Sequence, residues 1–166
     1  MLVEFPSLPG SSRVWVYQSS RLLNQDEQQW LLDNAQKFVS DWTAHQAGLK
    51  AGVHLESGLF LAFAVDESYN GASGCSIDKK VAFLKSAENY LGNSFFERMN
   101  FAWITVDNEI RLSRLQDLPK LMESGDISES TTVYNNLVAT MNEFRNRWKE
   151  PLGKTWMMQF AGKVTN

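Results

Sequence analysis

The chain has 166 residues, 43% hydrophobic and 21% charged, and its 16 Lys and Arg against 19 Asp and Glu leave a net charge of −3. Such a composition belongs to one ordinary folded domain, neither disordered nor basic enough for a general nucleic-acid binder. One cysteine, Cys75, excludes a disulfide scaffold and fits a reducing compartment.

Residues 1–12 hold two prolines and Gly10-Ser11-Ser12, and read as an irregular lead-in. The opening Met1-Leu2-Val3-Glu4-Phe5-Pro6 has no basic leader. Arg13 to Gln18 is β-branched and aromatic with two apolar faces, which predicts a strand covered on both sides. Asn24 with Glu27 forms a box-like helix start, and Leu31, Ala35, Phe38 and Trp42 follow at helical spacing. The helix is expected over about 25–44, ending before Gly48.

Lys50 to Glu56 and Leu59 to Val65 are two strands joined at Ser57-Gly58, a hairpin signal. The second, LFLAFAV, has no polar break and is expected to be central and buried on both faces. It is also the longest apolar run, far short of the roughly 20 residues of a membrane helix. A polar, glycine-containing loop from Asp66 leads into a second helix. That helix is expected to start near Ser76, to carry Ile77, Val81, Leu84, Ala87 and Leu91 on its apolar side, and to end at Gly92.

Met99 to Val106, the turn formers Asp107-Asn108 and Glu109 to Leu112 read as another hairpin. Leu115 to Ser124 reads as a short helix with Pro119 in its first turn and Gly125 after it. Thr131 to Tyr134 is a short extended piece. Thr140 and Glu143 form a capping box for a helix to about Trp148, stopped by Pro151, and Leu152 to Phe160 is a last amphipathic turn or two. This order predicts an α+β domain with a ferredoxin-like βαββαβ core, an added hairpin strand and C-terminal helices. The whole of 1–166 is expected to be one domain, with a core over 13–114 and a helical extension over 115–166.

Six tryptophans are expected mostly in the core, with one or two lining a pocket. The stripe Phe144, Trp148, Met157 and Phe160 reads as core or as a contact with a second copy, which opens self-association. Arg145, Arg147, Lys149 and Lys154 form a basic cluster, diluted by Glu143 and Glu150, that reads as a solvated helix face. Gly153-Lys154-Thr155 resembles the end of a phosphate-binding P-loop, but position 148, which should be glycine, is Trp.

The segment from Asp66 to Asp78 is where chemistry fits best. It enters a helix N-terminus, where backbone N–H groups are free and the dipole is positive. Asp66, Tyr69, Ser73, Gly74 and Ser76 are the candidate ligand contacts, for a small anionic ligand or a protein partner. Cys75 at the same place is a candidate nucleophile, with His45, or else His54, as its base. The carboxylates Asp66, Glu67 and Asp78 match no complete metal motif, and His54 with Glu56 offers two ligands at most, so neither metal nor cofactor is expected.

VWVYQSSR (14–21), DWTAHQ (41–46), AVDESYNGASGCSIDKKVAFLK (64–85) and TTVYNNLV (131–138) resemble a family of short bacterial proteins of unknown function. Members often carry the label "ABC transporter ATPase". The resemblance implies a cytoplasmic bacterial protein and supplies no catalytic residues. Neither a Walker A loop nor an LSGGQ-type signature is present, so no ATPase activity of that type is expected. The function read from the sequence is thus a ligand-binding or partner-binding domain working through the 66–78 loop. The alternative is a small cysteine-dependent enzyme built on Cys75.

Overall fold

In the computed structural model, which describes residues 1–162, the elements run in chain order as β1 (Arg13–Gln18), α1 (Gln25–Ser40), β2 (Thr43–Ala44), β3 (Ala47–Gly48), β4 (Ala51–Glu56), β5 (Phe60–Val65), α2 (Gly74–Leu91), β6 (Asn100–Ile104), β7 (Ile110–Arg114), α3 (Leu118–Glu123), β8 (Thr132–Tyr134), α4 (Met141–Arg147) and β9 (Lys149–Pro151). The chain is therefore α+β. It divides into two compact units: Met1–Phe96 with Asn136–Arg145, and Glu97–Asn135 with the residues from Asn146 on. No helix among the described residues is long and apolar enough to cross a membrane.

The first unit is built on an antiparallel sheet in the order β1-β5-β4. β5 is central and every one of its residues is buried, as an unbroken apolar run requires. Leu61, Phe63 and Val65 face the core shared with α1 and α2. Ala62 and Ala64 face the opposite way, against Phe5, Leu8 and Met141. A side-chain period of two sorts one strand between two cores.

The backbone of β4 is approached closely at Gly52. A Cβ there would sit 2.9 Å from the Phe5 Cα and 3.0 Å from the Val3 carbonyl oxygen. Backbone cannot move aside as a flexible side chain can. Gly52→Ala is expected to destabilise the protein by about 1–3 kcal/mol, measured by urea denaturation. A loss under a few tenths of that would show that the lead-in moves aside freely.

α1 begins at the expected box: the Asn24 side chain accepts from the Glu27 N–H, and the Glu27 carboxylate accepts from the Asn24 N–H. Arg21 pairs with the same carboxylate at 2.7 Å; it and the Asn24 N–H hold Glu27 down at about 2. The helix stops at Ser40, four residues before the expected end. Trp42 turns into the core, and Thr43-Ala44 pairs with Ala47-Gly48 across a two-residue turn. Both turn residues, His45 (φ 49°) and Gln46 (φ 66°), are left-handed, as this tight hairpin demands. α2 is capped three residues earlier than expected, by Ser73 rather than Ser76, and Gly92 ends it at φ 64°. On the outer surface Trp30 of α1 and Tyr90 of α2 stack at 3.9 Å.

A ferredoxin-like sheet would take the strand at Met99–Val106 beside β1. Instead the outer edge of β1 bonds to Ala139 and bridges to Thr140. β6 joins a second sheet, in the order β7-β6-β8-β9, within the second unit. The core there gathers Phe101, Trp103, Leu115, Leu118, Val133 and Met157. The turn at Asp107-Asn108 forms as expected, with Asn108 at φ 64°. Leu152–Lys154 and Trp156–Phe160 are 3₁₀ turns.

The stripe at Phe144 to Phe160 is core, but of two kinds: Phe144 packs in the first unit and Met157 in the second. The basic cluster is used locally. Arg145 donates to the Pro6 and Leu8 carbonyls, Arg147 reaches Glu150 at 3.7 Å, and Lys149 lies over the Tyr134 and Trp148 rings.

Candidate functional site

The 66–78 loop is anchored at both ends. At its start the buried Asp66 accepts from the Ser68 hydroxyl at 2.5 Å, the Ser68 N–H at 3.1 Å and the Lys50 ammonium at 3.2 Å. The Ser68 hydroxyl first, and the Lys50 charge with it, hold this carboxyl below its ordinary range against the effect of burial. At its end the Ser73 hydroxyl accepts from the Ser76 N–H, and the buried Ser76 hydroxyl donates back to the Ser73 carbonyl. Between the anchors Tyr69 is 57% exposed, and Gly74 and Cys75 are also exposed.

Asp66, Ser73 and Ser76 thus carry the loop's own architecture, while Tyr69 and Gly74 face outward. His45 is exposed at the tip of the β2–β3 turn. Its neighbour strand residue Thr43 receives the Lys79 ammonium at 3.0 Å, so this hairpin borders the first turns of α2. His54 stacks on Phe5 at 5.4 Å and bonds Glu56 at 3.1 Å. It lies on the sheet face toward Phe5 and Phe144, whereas α2 covers the other face. No hydrogen bond among the described residues joins Cys75 to either histidine. Asp78 is exposed, and no group of three or more metal-ligating side chains occurs among the described residues.

The loop is also tied to β1. Arg13 reaches Glu67 at 3.7 Å, and its guanidinium lies 4.7 Å from the centre of the Trp15 ring. The same ring receives a group that the sequence reading missed. Lys80 is fully buried, with its Nζ 3.5 Å from the Trp15 centroid and 5.3 Å from that of Tyr17. Its Nζ has no hydrogen-bond partner among the described residues. Burial, and then the Arg13 charge, push this amine down from 10.5 to about 7. The indole face pulls the other way, since it favours the cation.

Lysine is among the residues least often buried without a partner. The signal for it was present in the spacing. The buried side of α2 is Ser76, Lys80, Leu84, Ala87 and Leu91, steps of four, four, three and four. Counting back from Leu84 by one turn reaches Lys80, but the apolar pair Ile77 and Val81 draws the stripe one position off. Both are only half-buried. A second tie holds the start of α2: the buried Trp42 Nε1–H donates to the Ser76 carbonyl at 2.8 Å.

No protein-family model matches the chain, and no curated protein or solved structure is significantly similar to it. The resemblance read from the sequence therefore rests on its quoted segments.

Proposed function

We propose that the chain is a binding domain whose contact region is the 66–78 loop, and that it takes a small ligand bearing an anionic group. One observation carries this reading: the 18-residue α2 opens onto exposed Gly74 and Cys75 with no acidic side chain in its first turn. α1, by contrast, has Asp26 and Glu27 in its first turn to meet its own dipole. A helix start left without an acid attracts an external anion through its free N–H groups. Arg13 pairs with Glu67 of the loop, whose carboxylate also accepts from the Ala72 N–H. A cytoplasmic setting fits an exposed, unpaired Cys75.

The test is an NMR titration of the amide signals of the full chain with inorganic phosphate and then acetate. Saturable shifts centred on Gly74 and Cys75, weakened several-fold by Arg13→Gln, are expected. Small, non-saturating shifts spread over the surface would refute the anion site.

Exposure of Cys75 at the second position of α2 favours one other reading, a thiol nucleophile. A helix N-terminus stabilises thiolate, which is the attacking form. On that reading Cys75→Ser removes turnover of a thioester probe and His45→Ala slows it. On the binding reading no such turnover exists.

A further inference from the structure

We infer that Lys80 is a carbonyl-reactive amine, which condenses with the aldehyde or keto group of a small ligand whose anionic end is held at the start of α2. The inference rests on the proposed anion site and names the class of ligand it takes: a 2-oxo acid or an aldehyde acid.

The geometry leaves Lys80 without a counter-charge. The charge that acts on it is that of Arg13, of the same sign, whose guanidinium lies over the same Trp15 ring. From β1 the Tyr17 ring also faces it, and Glu67 pairs with Arg13. On its own helix, Lys79 turns away to Thr43. An apolar setting beside a second cation is a recognised way to make a lysine nucleophilic at neutral pH. At about 7, half of such amines carry a free lone pair. An ordinary lysine does so about once in a few thousand.

Nζ lies beneath the rings of Trp15 and Tyr17, both half-buried on β1, so a carbonyl reaches it only when these rings swing aside. Gly74 and Lys80 are six positions apart on one helix, about 9 Å of rise. Long side chains on a helix lean back toward its N-terminus. With the rings displaced, a ligand of a few carbons has the length to span from Gly74 and Cys75 to Nζ.

In the reaction the Nζ lone pair attacks the carbonyl carbon, and the carbonyl π electrons pass to oxygen. The resulting carbinolamine loses that oxygen as water, which carries away the two amine protons, and a C=N bond remains. No oxidant or reductant is consumed. When the imine takes up a proton, the Trp15 face stabilises its charge as it does the ammonium.

The experiment treats the full chain at pH 7 with glyoxylate, or with uncharged propionaldehyde, in the presence of cyanoborohydride. The reagent supplies hydride to the C=N bond and fixes the adduct as a secondary amine, which peptide mass spectrometry then locates. Lys80 is expected to be modified at least about tenfold faster than exposed Lys79 by glyoxylate. Lys80→Met removes that adduct and leaves the slow surface labelling. Equal labelling of Lys80 by both aldehydes would uphold the amine and refute the anion site. Labelling of Lys79 with none at Lys80 until denaturant is added would overturn the inference, even if phosphate still shifts the Gly74 and Cys75 amides.

Discussion

Replacing Lys80 by methionine is expected to stabilise the protein, and to do so most below neutral pH. Methionine keeps an unbranched chain of similar reach and removes the charge. The folded protein holds the Lys80 amine near 7, against 10.5 ordinarily. Between those values the unfolded chain binds more protons than the folded one, so wild-type stability rises with pH. Below about 7 both states carry the proton, and the folded state bears the whole cost of a buried, unpaired ammonium. The gain for Lys80→Met should be on the order of 3 kcal/mol at pH 6. By pH 10 it should shrink to below about 1 kcal/mol.

Urea denaturation of both proteins at the two pH values reads the difference directly. A variant less stable than wild type by the same amount at both pH values would show that the Trp15 contact outweighs desolvation. A protein that retains such a group gives up stability, and reactive sites are a common place for that trade.

Truncating Trp42 should have the largest opposite effect. Its ring is fully buried and touches Trp15, Phe38 and Phe63, and its Nε1–H holds the Ser76 carbonyl. Trp42→Ala is expected to cost about 3–5 kcal/mol. Trp42→Phe keeps most of the packing and loses the hydrogen bond, for about 1–2 kcal/mol. The first turn of α2 should loosen in both variants, so the anion titration should weaken alongside stability. If phenylalanine cost as much as alanine, the Ser76 bond and not the packing would dominate. If alanine cost under about 1 kcal/mol, Trp42 would not be the hinge of this core.

Much of the local structure was readable because its causes lie within a few residues. Asn24 and Glu27 satisfy each other's backbone, Gly92 takes the left-handed position, and Ser57-Gly58 turns the chain. The continuous run at Leu59 to Val65 announced a strand covered on both faces. The 66–78 loop could be picked out as the approach to a helix start. Its anchors could not, since Asp66 is held by Lys50, just before β4, and Glu67 by Arg13 from β1. Lys80 escaped notice because a lysine between Lys79 and Val81 reads as solvated. What buries it is a pair of rings more than sixty residues earlier in the chain.

Periodicity, capping and turn chemistry, all acting over one to five residues, thus set where most helices and strands of this chain form and which faces are apolar. They carry no information about pairing partners. Asn100–Ile104 could have lain beside β1 or built a sheet of its own, and its pattern suits either place. The outcome depended on Ala139 and Thr140 occupying the edge of β1. The length of α1 and the state of Lys80 belong to the same class, since Trp42 leaves the helix for a core assembled from distant strands. Desolvation and strand pairing are properties of a surrounding, and that surrounding exists only once the remote segments have met.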